Sequence, residues 1–378
     1  MHYTKKIQNN MKIGIDCRLW YETGVGRYIR NLVLQLSEID TKNEYILFFR
    51  KEEYESVPLP GENFRKVLAD IRWHTFDEQK EFKKILEEQK LDLVHFPYFS
   101  YPISYKGKFV ITIHDLIIDH FSTGKASTLF APLYFLKQVG YKFVLKNAIA
   151  HSQKIIAVSG ATKQEIIDHY HPQPEKVSIT PEGIDQKFET QEKIDVPEKY
   201  FLYVGNVYPH KNVLRLIEAF AAVQKTHAEV HLILVGKEDY FSKKLEKEIQ
   251  QRQFSNILFY KHTTDSQLSY MYHHAIALVA PSLMEGFGLP ALEAMHHKCL
   301  VLCSEIPSFL EVCGESAVYF DPYNKENIAK TLMIAYNHEV THINQKKEAG
   351  VKRAKTFSWK KMAQLTYSLY ESCFSTSA

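Results

Sequence analysis

Short apolar runs recur along the whole chain and alternate with stretches whose apolar residues have helical spacing. The runs are apolar throughout rather than at every second position, which is typical of parallel strands buried on both faces. In the first half they occupy 11–17, 44–50, 91–96, 108–115, 154–159 and 176–180. In the second half they occupy 200–206, 230–236, 256–261, 275–282, 299–305 and 317–321. This pattern predicts an α/β protein with two Rossmann-like, doubly wound domains.

A polar segment with few aliphatic residues, 186–199, separates the two series and predicts a linker. We therefore expect an N-terminal domain over 1–185, in which 1–10 form a disordered extension, and a C-terminal domain over 200–356. The remaining residues, 357–378, are expected to form a final helix. Near-helical spacing gives that helix one apolar face, made of Trp359, Met362, Leu365, Leu369 and Phe374.

Composition excludes several classes of protein. A chain of 378 residues suits two domains, because single cores stop growing near ~250–300 residues. The formal charge of +3 is too small to indicate nucleic-acid binding. Five cysteines without a paired spacing indicate reduced thiols rather than disulfides or a zinc site. The first ten residues lack the apolar stretch of a signal peptide, and no run of about 18 apolar residues occurs, so we expect a cytoplasmic protein.

The most specific motif is PSLMEGFGLPALEAM (281–295), directly after a predicted buried strand. Ligands of open parallel sheets bind beyond the carboxyl ends of the strands. Gly286 and Gly288 let the backbone approach an anion, and the amides of the helix that begins at the proline attract phosphate. Glu285 and Glu293 can each accept two hydrogen bonds from neighbouring hydroxyls. The motif therefore indicates a nucleotide-sugar site, with solvated glutamates beside a turn as the alternative.

A second motif, YVGNVYPHKN (203–212), follows the first strand of the second half. Gly205 ends the strand, and Lys211 stands at the start of the next helix. An ammonium group there can neutralise a diphosphate and stabilise it as a leaving group. We place Gly205, Asn206 and Lys211 in the predicted donor site, with a solvated lysine at a helix start as the alternative.

These motifs, in this order, resemble those of the retaining glycosyltransferases of family 4, which have the two-domain GT-B fold. The hallmark is the pair of glutamates around a glycine-rich loop, and the resemblance covers nearly the whole chain. It implies that Glu285 contacts hydroxyls of the transferred sugar and that Glu293 contacts the ribose. It also implies that the amides of Phe287, Gly288 and Leu289 meet the phosphates or the sugar.

The resemblance also assigns roles around ITIHDLIIDHF (111–121). It implies that His114 lies in the cleft near the donor sugar and the acceptor, where an imidazole can orient a hydroxyl or stabilise the leaving phosphate. A structural histidine at a strand end is the alternative. Many relatives carry an arginine near the lysine, where this chain has Asn206 and His210. We therefore expect Lys211 to be the one permanently charged side chain that binds the diphosphate.

The string YETGVGRY (21–28) follows the first strand. Gly24 and Gly26 indicate a flexible loop that leads into a helix over 27–36. A dinucleotide fingerprint would need a glycine where Ile29 stands, so an NAD site is not indicated. The resemblance places this loop across the cleft, near the diphosphate and the acceptor, with a plain turn as the alternative.

Three further residues and the last helix also receive assignments. Ser159 and Glu182 match family strings at the end of the first domain, and we expect structural roles for them first. Asp115 is expected to hold the histidine ring or its loop. The resemblance implies that the final helix crosses back to pack on the first domain, although a core helix of the second domain would have the same pattern.

The predicted reaction needs neither a metal ion nor another cofactor. No Asp-x-Asp pair occurs in the chain, and that motif holds the metal in the other major fold of nucleotide-sugar transferases. The resemblance implies transfer of a hexose from a nucleotide diphosphate with retention of configuration, to a saccharide or lipid-linked acceptor. The strings HDL and P-x-K-N are similar to those of bacterial mannosyltransferases of surface polysaccharides, so GDP-mannose is the expected donor. A nucleotide-sugar epimerase of the same fold and an inactive nucleotide-sugar-binding subunit are the alternatives.

The stretch from His120 to Gln164 holds no acidic residue. Its lysines are Lys125, Lys137, Lys142, Lys146, Lys154 and Lys163. Within it, 131–146 mixes aromatic residues with lysines, as does an amphipathic helix at a membrane surface. A core helix with lysines on its solvent face is the alternative. If the helix is interfacial, the first domain contacts anionic lipid and receives a lipid-linked acceptor.

Overall fold

The computed structural model describes residues 10–121, 131–184 and 190–375 and contains two parallel β-sheets. The first nine residues of the predicted extension and residues 185–189, at the predicted linker, lie outside the described residues. Strand–helix alternation runs through both halves, which confirms the predicted fold class of two doubly wound α/β sheets.

The first sheet has seven strands in the order β3-β2-β1-β4-β5-β6-β7. Its strands are β1 (Lys12–Asp16), β2 (Glu44–Phe49), β3 (Phe64–Leu68), β4 (Leu93–Phe96), β5 (Phe109–Ile113), β6 (Lys154–Ala157) and β7 (Val177–Ile179). The helices of this half are α1 (Gly24–Ile39), α2 (Lys51–Ser56), α3 (Lys83–Glu88), α4 (Ile117–His120), α5 (Ala131–His151) and α6 (Gly160–Tyr170). A π-helical turn, Glu78–Phe82, runs directly into α3.

The second sheet has six strands in the order β10-β9-β8-β11-β12-β13. Its strands are β8 (Tyr200–Val204), β9 (His231–Val235), β10 (Ile257–Tyr260), β11 (Ala277–Ala280), β12 (Val301–Ser304) and β13 (Ala317–Phe320). The helices are α7 (Val213–Gln224), α8 (Tyr240–Gln251), α9 (Asp265–His274), α10 (Leu289–His296), α11 (Pro307–Cys313), α12 (Lys325–Tyr336), α13 (Ile343–Ala354) and α14 (Trp359–Ser375).

The sequence prediction missed one strand, β3, at the edge of the first sheet. Its five residues pair with β2 in parallel register, from Phe64 opposite Tyr45 to Leu68 opposite Phe49. An edge strand needs fewer apolar residues than a central one, because water reaches part of it. Arg65 and Leu68 are exposed, so this strand lacks the continuous apolar run that identified the others.

Neighbouring residues of a strand enter opposite cores, because side chains alternate across a sheet. In β2, Ile46 and Phe48 pack into one hydrophobic cluster, whereas Leu47 packs into the cluster on the other face. The second sheet is likewise buried on both faces, as Leu202 and Tyr203 of β8 belong to different clusters. This double burial explains the uninterrupted apolar runs in the sequence.

The strand orders place two crevices at predictable points. In the first sheet the order reverses between β1 and β4, and in the second it reverses between β8 and β11. Connections leave such neighbouring strands toward opposite faces of the sheet, which opens a crevice at the carboxyl ends. The loops after β8 and β11 therefore lie side by side, and they contain the two strongest sequence motifs.

The last helix, α14, packs on the first sheet rather than on the second. Trp359, Met362 and Tyr370 are buried in the cluster formed by β1, β2 and α1. The Tyr370 hydroxyl lies 2.6 Å from Nδ1 of His95 on β4. The buried face differs in part from the predicted one, since Leu365 is exposed. Polar Thr366 is buried instead, because its hydroxyl donates to the Met362 carbonyl one turn earlier.

Helix α5 contains the run of lysines and aromatic residues at 131–146. Its described side chains begin at residue 138, so the side chain of Lys137 and all of Lys125 lie outside the described residues. Leu145 and Ile149 are buried against the first sheet. Val139 and Phe143 are exposed, with 57% of Phe143 open to solvent. Among the described residues, the helices are all too short or too polar to cross a bilayer.

Candidate functional site

The loops after β8 and β11 form the centre of the candidate site. At the end of β8, Gly205 has a φ of 141°, a conformation that suits glycine. The chain then makes a short 3-10 turn that ends at Lys211. The Lys211 ammonium lies 2.7 Å from each carboxylate oxygen of Glu285, and the Ser282 hydroxyl donates to Oε1 of Glu285 over 2.7 Å. The structure thus brings two of the predicted catalytic residues into direct contact.

This ion pair is largely shielded from water. Burial raises the pKa of the Glu285 carboxyl, whereas the Lys211 ammonium and the Ser282 hydroxyl lower it. Together these two groups outweigh the effect of burial, so the pKa lies below its ordinary value. The carboxylate is therefore ionised at neutral pH. An anionic ligand that binds Lys211 has to compete with this internal carboxylate.

Helix α10 begins directly after the glutamate loop. Gly288 is its N-cap and has a φ of 97°, and a Cβ at this position would lie 2.6 Å from the ring of Phe309. The amides of the first helical turn, which starts at Leu289, lack partners within the helix and attract anions. The Phe287 side chain is buried in the core beside α10, so its backbone is the part that a ligand can reach.

Glu293 lies one turn into α10, and both of its carboxylate oxygens have partners. The Tyr272 hydroxyl donates to Oε2 over 2.9 Å, and the Arg27 guanidinium donates to Oε1 from the first half of the chain. Only 3% of Glu293 is exposed. Burial raises the pKa of the Glu293 carboxyl, and the Arg27 charge and the Tyr272 hydrogen bond oppose that rise in part.

His114 follows β5 and faces the same cleft from the first half. Its Nε2 lies 2.9 Å from the Pro97 carbonyl oxygen, and its Nδ1 lies 3.3 Å from Oε1 of Glu182. Because a carbonyl oxygen only accepts hydrogen bonds, Nε2 carries a hydrogen. The ring meets the Tyr28 ring edge to face, with centroids 5.0 Å apart. Glu182, which the sequence placed at a structural position, therefore orients His114 together with the Pro97 carbonyl.

Gly286 contacts the first half at close range. A Cβ on this residue would lie 1.7 Å from the His114 carbonyl oxygen, so no larger residue fits here. The Ser159 hydroxyl donates to the Gly286 carbonyl over 2.6 Å, and the Thr162 hydroxyl does so over 3.2 Å. Met284 packs into the core of the first sheet. The glutamate loop is therefore clamped between the two halves.

A second contact joins the halves at the start of α6. The carboxylate of Glu311, on α11, accepts hydrogen bonds from the amides of Gly160 (2.7 Å) and Ala161 (2.9 Å). A helix N-terminus attracts negative charge, so this is a favourable position for a carboxylate. Ser159 caps the same helix by accepting from the Thr162 amide. The structure therefore describes a closed arrangement of the two halves.

The structure corrects the prediction for Gly24 and Gly26. They lie in the first turn of α1 rather than in a flexible loop before it, and the helix runs on to Ile39. A Cβ on Gly26 would lie 2.5 Å from the Trp20 carbonyl oxygen, whereas a Cβ on Gly24 would meet nothing within 4 Å. Glycine is therefore needed at position 26, because α1 packs there against the backbone of the preceding loop. No steric reason requires glycine at position 24.

Asn206 and His210 stand where the resemblance would have placed an arginine, and neither supplies a positive charge. Burial lowers the pKa of His210 to about 4, and the neighbouring Lys211 ammonium adds to that effect. The imidazole is therefore neutral at neutral pH. The Asn206 side-chain oxygen is buried and has no hydrogen-bond partner among the described residues.

Sequence reasoning missed the residues that reach the site from a distance. Arg27 is the first residue of a predicted helix, Tyr272 lies inside α9, Thr162 lies near the start of α6, and Glu311 lies in the second half of α11. No local motif distinguishes these residues. The one available signal was charge, since Arg27 follows the glycines of a segment that was already assigned to the cleft.

Two family models match the chain in succession. Residues 23–188 match the model described as Glycosyltransferase Family 4, and residues 185–355 match the model described as Glycosyl transferases group 1. Together the matches run from 23 to 355 and include every residue of the site described above. The resemblance stated from the motifs is thereby confirmed.

Two curated relatives are similar over most of their length. The O-antigen chain mannosyltransferase RfbU of Salmonella typhimurium is 26% identical over 317 residues, which cover 81% of this chain and 85% of the relative. The O-antigen chain mannosyltransferase B of Escherichia coli is 25% identical over 377 residues, which cover 92% and 96%.

Solved structures share the architecture at low sequence identity. Sucrose-phosphate synthase from Thermosynechococcus elongatus has a TM-score of 0.76 at 18% identity, with 97% of this chain and 100% of that chain covered. WaaG, a glycosyltransferase involved in lipopolysaccharide biosynthesis, has a TM-score of 0.74 at 16% identity, with 94% and 99% covered. These similarities show the fold and confirm the predicted GT-B architecture.

Proposed function

The chain belongs to the glycosyltransferases of the GT-B fold, with a family 4 domain followed by a group 1 domain, and from this premise we propose that it is a mannosyltransferase. In this proposal, mannose moves from GDP-mannose to a saccharide or lipid-linked acceptor of surface-polysaccharide synthesis. Configuration is retained, and no metal ion takes part. Mannose is proposed because two relatives similar over most of the chain are O-antigen mannosyltransferases.

One observation supports the proposal most directly, namely the geometry around α10. Glu285 lies just before the helix and Glu293 lies one turn inside it, with the first-turn amides between them. A donor diphosphate placed at those amides would put its sugar near Glu285 and its ribose near Glu293. The two carboxylates would then accept hydrogen bonds from the hydroxyls of the sugar and of the ribose.

The departing diphosphate gains negative charge as the sugar leaves. Lys211 and the start of α10 are the groups placed to stabilise that charge. Lys211 is paired with Glu285, so the donor has to draw the ammonium toward its phosphates. Glu285 then becomes available to the hydroxyls of the sugar. One exchange of partners thus prepares the leaving group and positions the sugar.

Retention follows if the acceptor attacks from the face that the diphosphate leaves. The bond between the anomeric carbon and the phosphate oxygen breaks, and a bond from that carbon to the acceptor oxygen forms. The proton of the acceptor hydroxyl passes to the departing phosphate. The His114 backbone contacts Gly286 across the cleft, and its Nδ1 would orient the acceptor hydroxyl by exchanging Glu182 for it. Closure of the two halves would exclude water that otherwise hydrolyses the donor.

We expect the protein to convert GDP-mannose slowly to GDP and mannose without acceptor, and to do so equally well in excess EDTA. The reason is that a lysine and a helix start would stabilise the leaving group in place of a metal ion. Product analysis by chromatography, with UDP-glucose as the comparison donor, measures this directly. A thermal-shift screen complements it, since a ligand at a hundred times its dissociation constant adds roughly 2.7 kcal/mol of stability.

Three results would contradict parts of the proposal. Loss of turnover in EDTA, restored by magnesium or manganese, would refute the metal-free mechanism. Faster turnover of UDP-glucose would refute the choice of donor. Conversion of the sugar into its epimer while it remains attached to the nucleotide would identify an epimerase instead.

We also propose that α5 contacts anionic lipid. Its described surface combines exposed Val139 and Phe143 with exposed Lys142 and Lys146. Apolar side chains enter the lipid headgroup region, and each nearby lysine adds about 1 kcal/mol at most. Lys142 contributes less, because it also lies 3.3 Å from Asp119. A lipid-linked acceptor would then reach the cleft from the membrane surface.

We expect the protein to co-sediment with phosphatidylglycerol-containing vesicles at low salt, and Phe143→Ser to weaken this binding about tenfold, because an apolar side chain no longer enters the lipid. Leu34→Ser is the matched control, since Leu34 is an exposed apolar residue on α1. Equal recovery with neutral and anionic vesicles would refute the contact and leave α5 as a core helix.

A further inference from the structure

Arg27 reaches across the cleft from the first turn of α1. Its guanidinium donates to Oε1 of Glu293, and its Nη2 lies 3.7 Å from the Asp265 carboxylate at the start of α9. The side chain of Arg27 is 19% exposed, and that of Glu293 is 4% exposed. An arginine of the first half is therefore held by two carboxylates of the second half.

The donor site otherwise has little positive charge of its own. Among the described residues of the second half, Lys211 is the cation that pairs with a carboxylate of the glutamate loop. His210 is neutral because burial lowers its pKa to about 4. Arg215, on α7, donates to the Pro322 carbonyl and to the Asn212 side chain instead. A donor diphosphate carries about two negative charges, so Lys211 alone leaves it under-neutralised.

The contact between Arg27 and Glu293 also conflicts with the proposed role of Glu293. Arg27 occupies Oε1, Tyr272 occupies Oε2, and little of the carboxylate is open to water. A ribose whose hydroxyls donate to Glu293 must therefore displace the Arg27 guanidinium from that carboxylate. The displaced guanidinium would lie beside the phosphate that adjoins that ribose. An arginine presents a planar fork of donors, which suits phosphate oxygens as well as a carboxylate.

We propose that Arg27 is the second cation of the donor site. It pairs with Glu293 in the structure, and when the donor binds it exchanges that carboxylate for the diphosphate. This inference rests on the proposed function, because it needs a nucleotide diphosphate at α10. The exchange keeps the two halves joined when the donor binds, since Arg27 belongs to the first half and Lys211 to the second.

The position of α1 supports this exchange. Gly26 lets the helix approach the Trp20 carbonyl to a distance that any Cβ would prevent. The Arg27 amide donates to the Thr23 carbonyl, which fixes the first turn. Arg27 thus extends from a rigid helix start, and only its side chain has to move when its partner changes.

The test is a titration of wild-type protein, Arg27→Gln and Arg27→Lys with GDP and with guanosine. We expect Arg27→Gln to weaken GDP binding at least about tenfold, the usual effect of losing a hydrogen bond between charged groups. Guanosine should bind the variant as well as the wild type or better, because no guanidinium then competes for Glu293. Arg27→Lys should recover part of the GDP affinity. Arg65→Gln, which removes an exposed charge of the same half, should bind GDP like the wild type.

The two possible failures are distinguishable. Wild-type protein that binds neither GDP nor UDP would overturn the proposed function and this inference with it. A wild type that binds GDP, together with an Arg27→Gln variant that binds it equally well or more tightly, would overturn the inference alone. Arg27 would then only cover Glu293. Repeating the titration with Glu293→Gln separates the roles, because Arg27→Gln should still weaken GDP binding in that background.

Discussion

Replacing Gly286 by alanine is expected to reduce turnover about 100-fold, the usual effect of a displacement of about 1 Å in a catalytic site. The added Cβ would lie 1.7 Å from the His114 carbonyl oxygen. The Cβ is bonded directly to the backbone and the oxygen is itself a backbone atom, so neither can rotate away and the overlap is relieved only if the two halves move apart. Water would then reach the donor, and His114 would lose its position beside the glutamate loop.

Affinity for GDP should fall no further in this variant than in Arg27→Gln, because the α10 site belongs to the second half and Arg27 is the contact that the first half adds. Steady-state kinetics and a GDP titration on the same preparation separate the two effects. Gly140→Ala is the matched control, since a Cβ at that position of α5 meets nothing within 4 Å. Full turnover of Gly286→Ala would show that the closed contact plays no part in the reaction.

The second large effect is expected for Glu285→Ala, which should lower kcat about 100- to 1,000-fold, as does the loss of a group that stabilises the transition state. Affinity for GDP should remain or increase, because Lys211 no longer has an internal carboxylate as its partner. Lys211→Ala and Glu293→Ala should instead weaken GDP binding by about 1–3 kcal/mol each, the scale of hydrogen bonds to charged groups.

Titration of each folded variant with GDP, followed by kinetics with GDP-mannose, checks this division of roles. Glu326→Ala is a suitable control, because this glutamate is exposed on α12. Equal GDP affinities across all variants would refute the assignments. A Glu285→Ala protein that binds GDP weakly but turns over normally would reverse the roles of the two glutamates.

The fold was largely predictable because parallel sheets leave a strong signal in sequence. Strands buried on both faces, such as β8 and β11, need continuous apolar runs, and these runs identified them. The edge strand β3 escaped detection because part of it is open to water. On α14, Leu365 was assigned to the buried face by spacing alone, but the helix presents Thr366 and Tyr370 to the first sheet instead.

Those parts of the candidate site that lie within one loop could also be proposed from the sequence. Glu285, Gly286, Gly288 and Glu293 occur in one string, because a phosphate site at a helix start is made from consecutive residues. The sequence by itself therefore identified the loop, the helix behind it and the lysine after β8. The motifs also indicated the glycosyltransferase family to which the chain belongs.

Only the tertiary structure decided what these residues face. Arg27 and Glu293 are 266 positions apart, and Ser159 and Gly286 are 127 apart. Such contacts depend on how two separately folded sheets meet, and no local spacing records that arrangement. The pairing of Lys211 with Glu285 and the neutrality of His210 have the same origin, since both arise from burial and from neighbours that folding supplies.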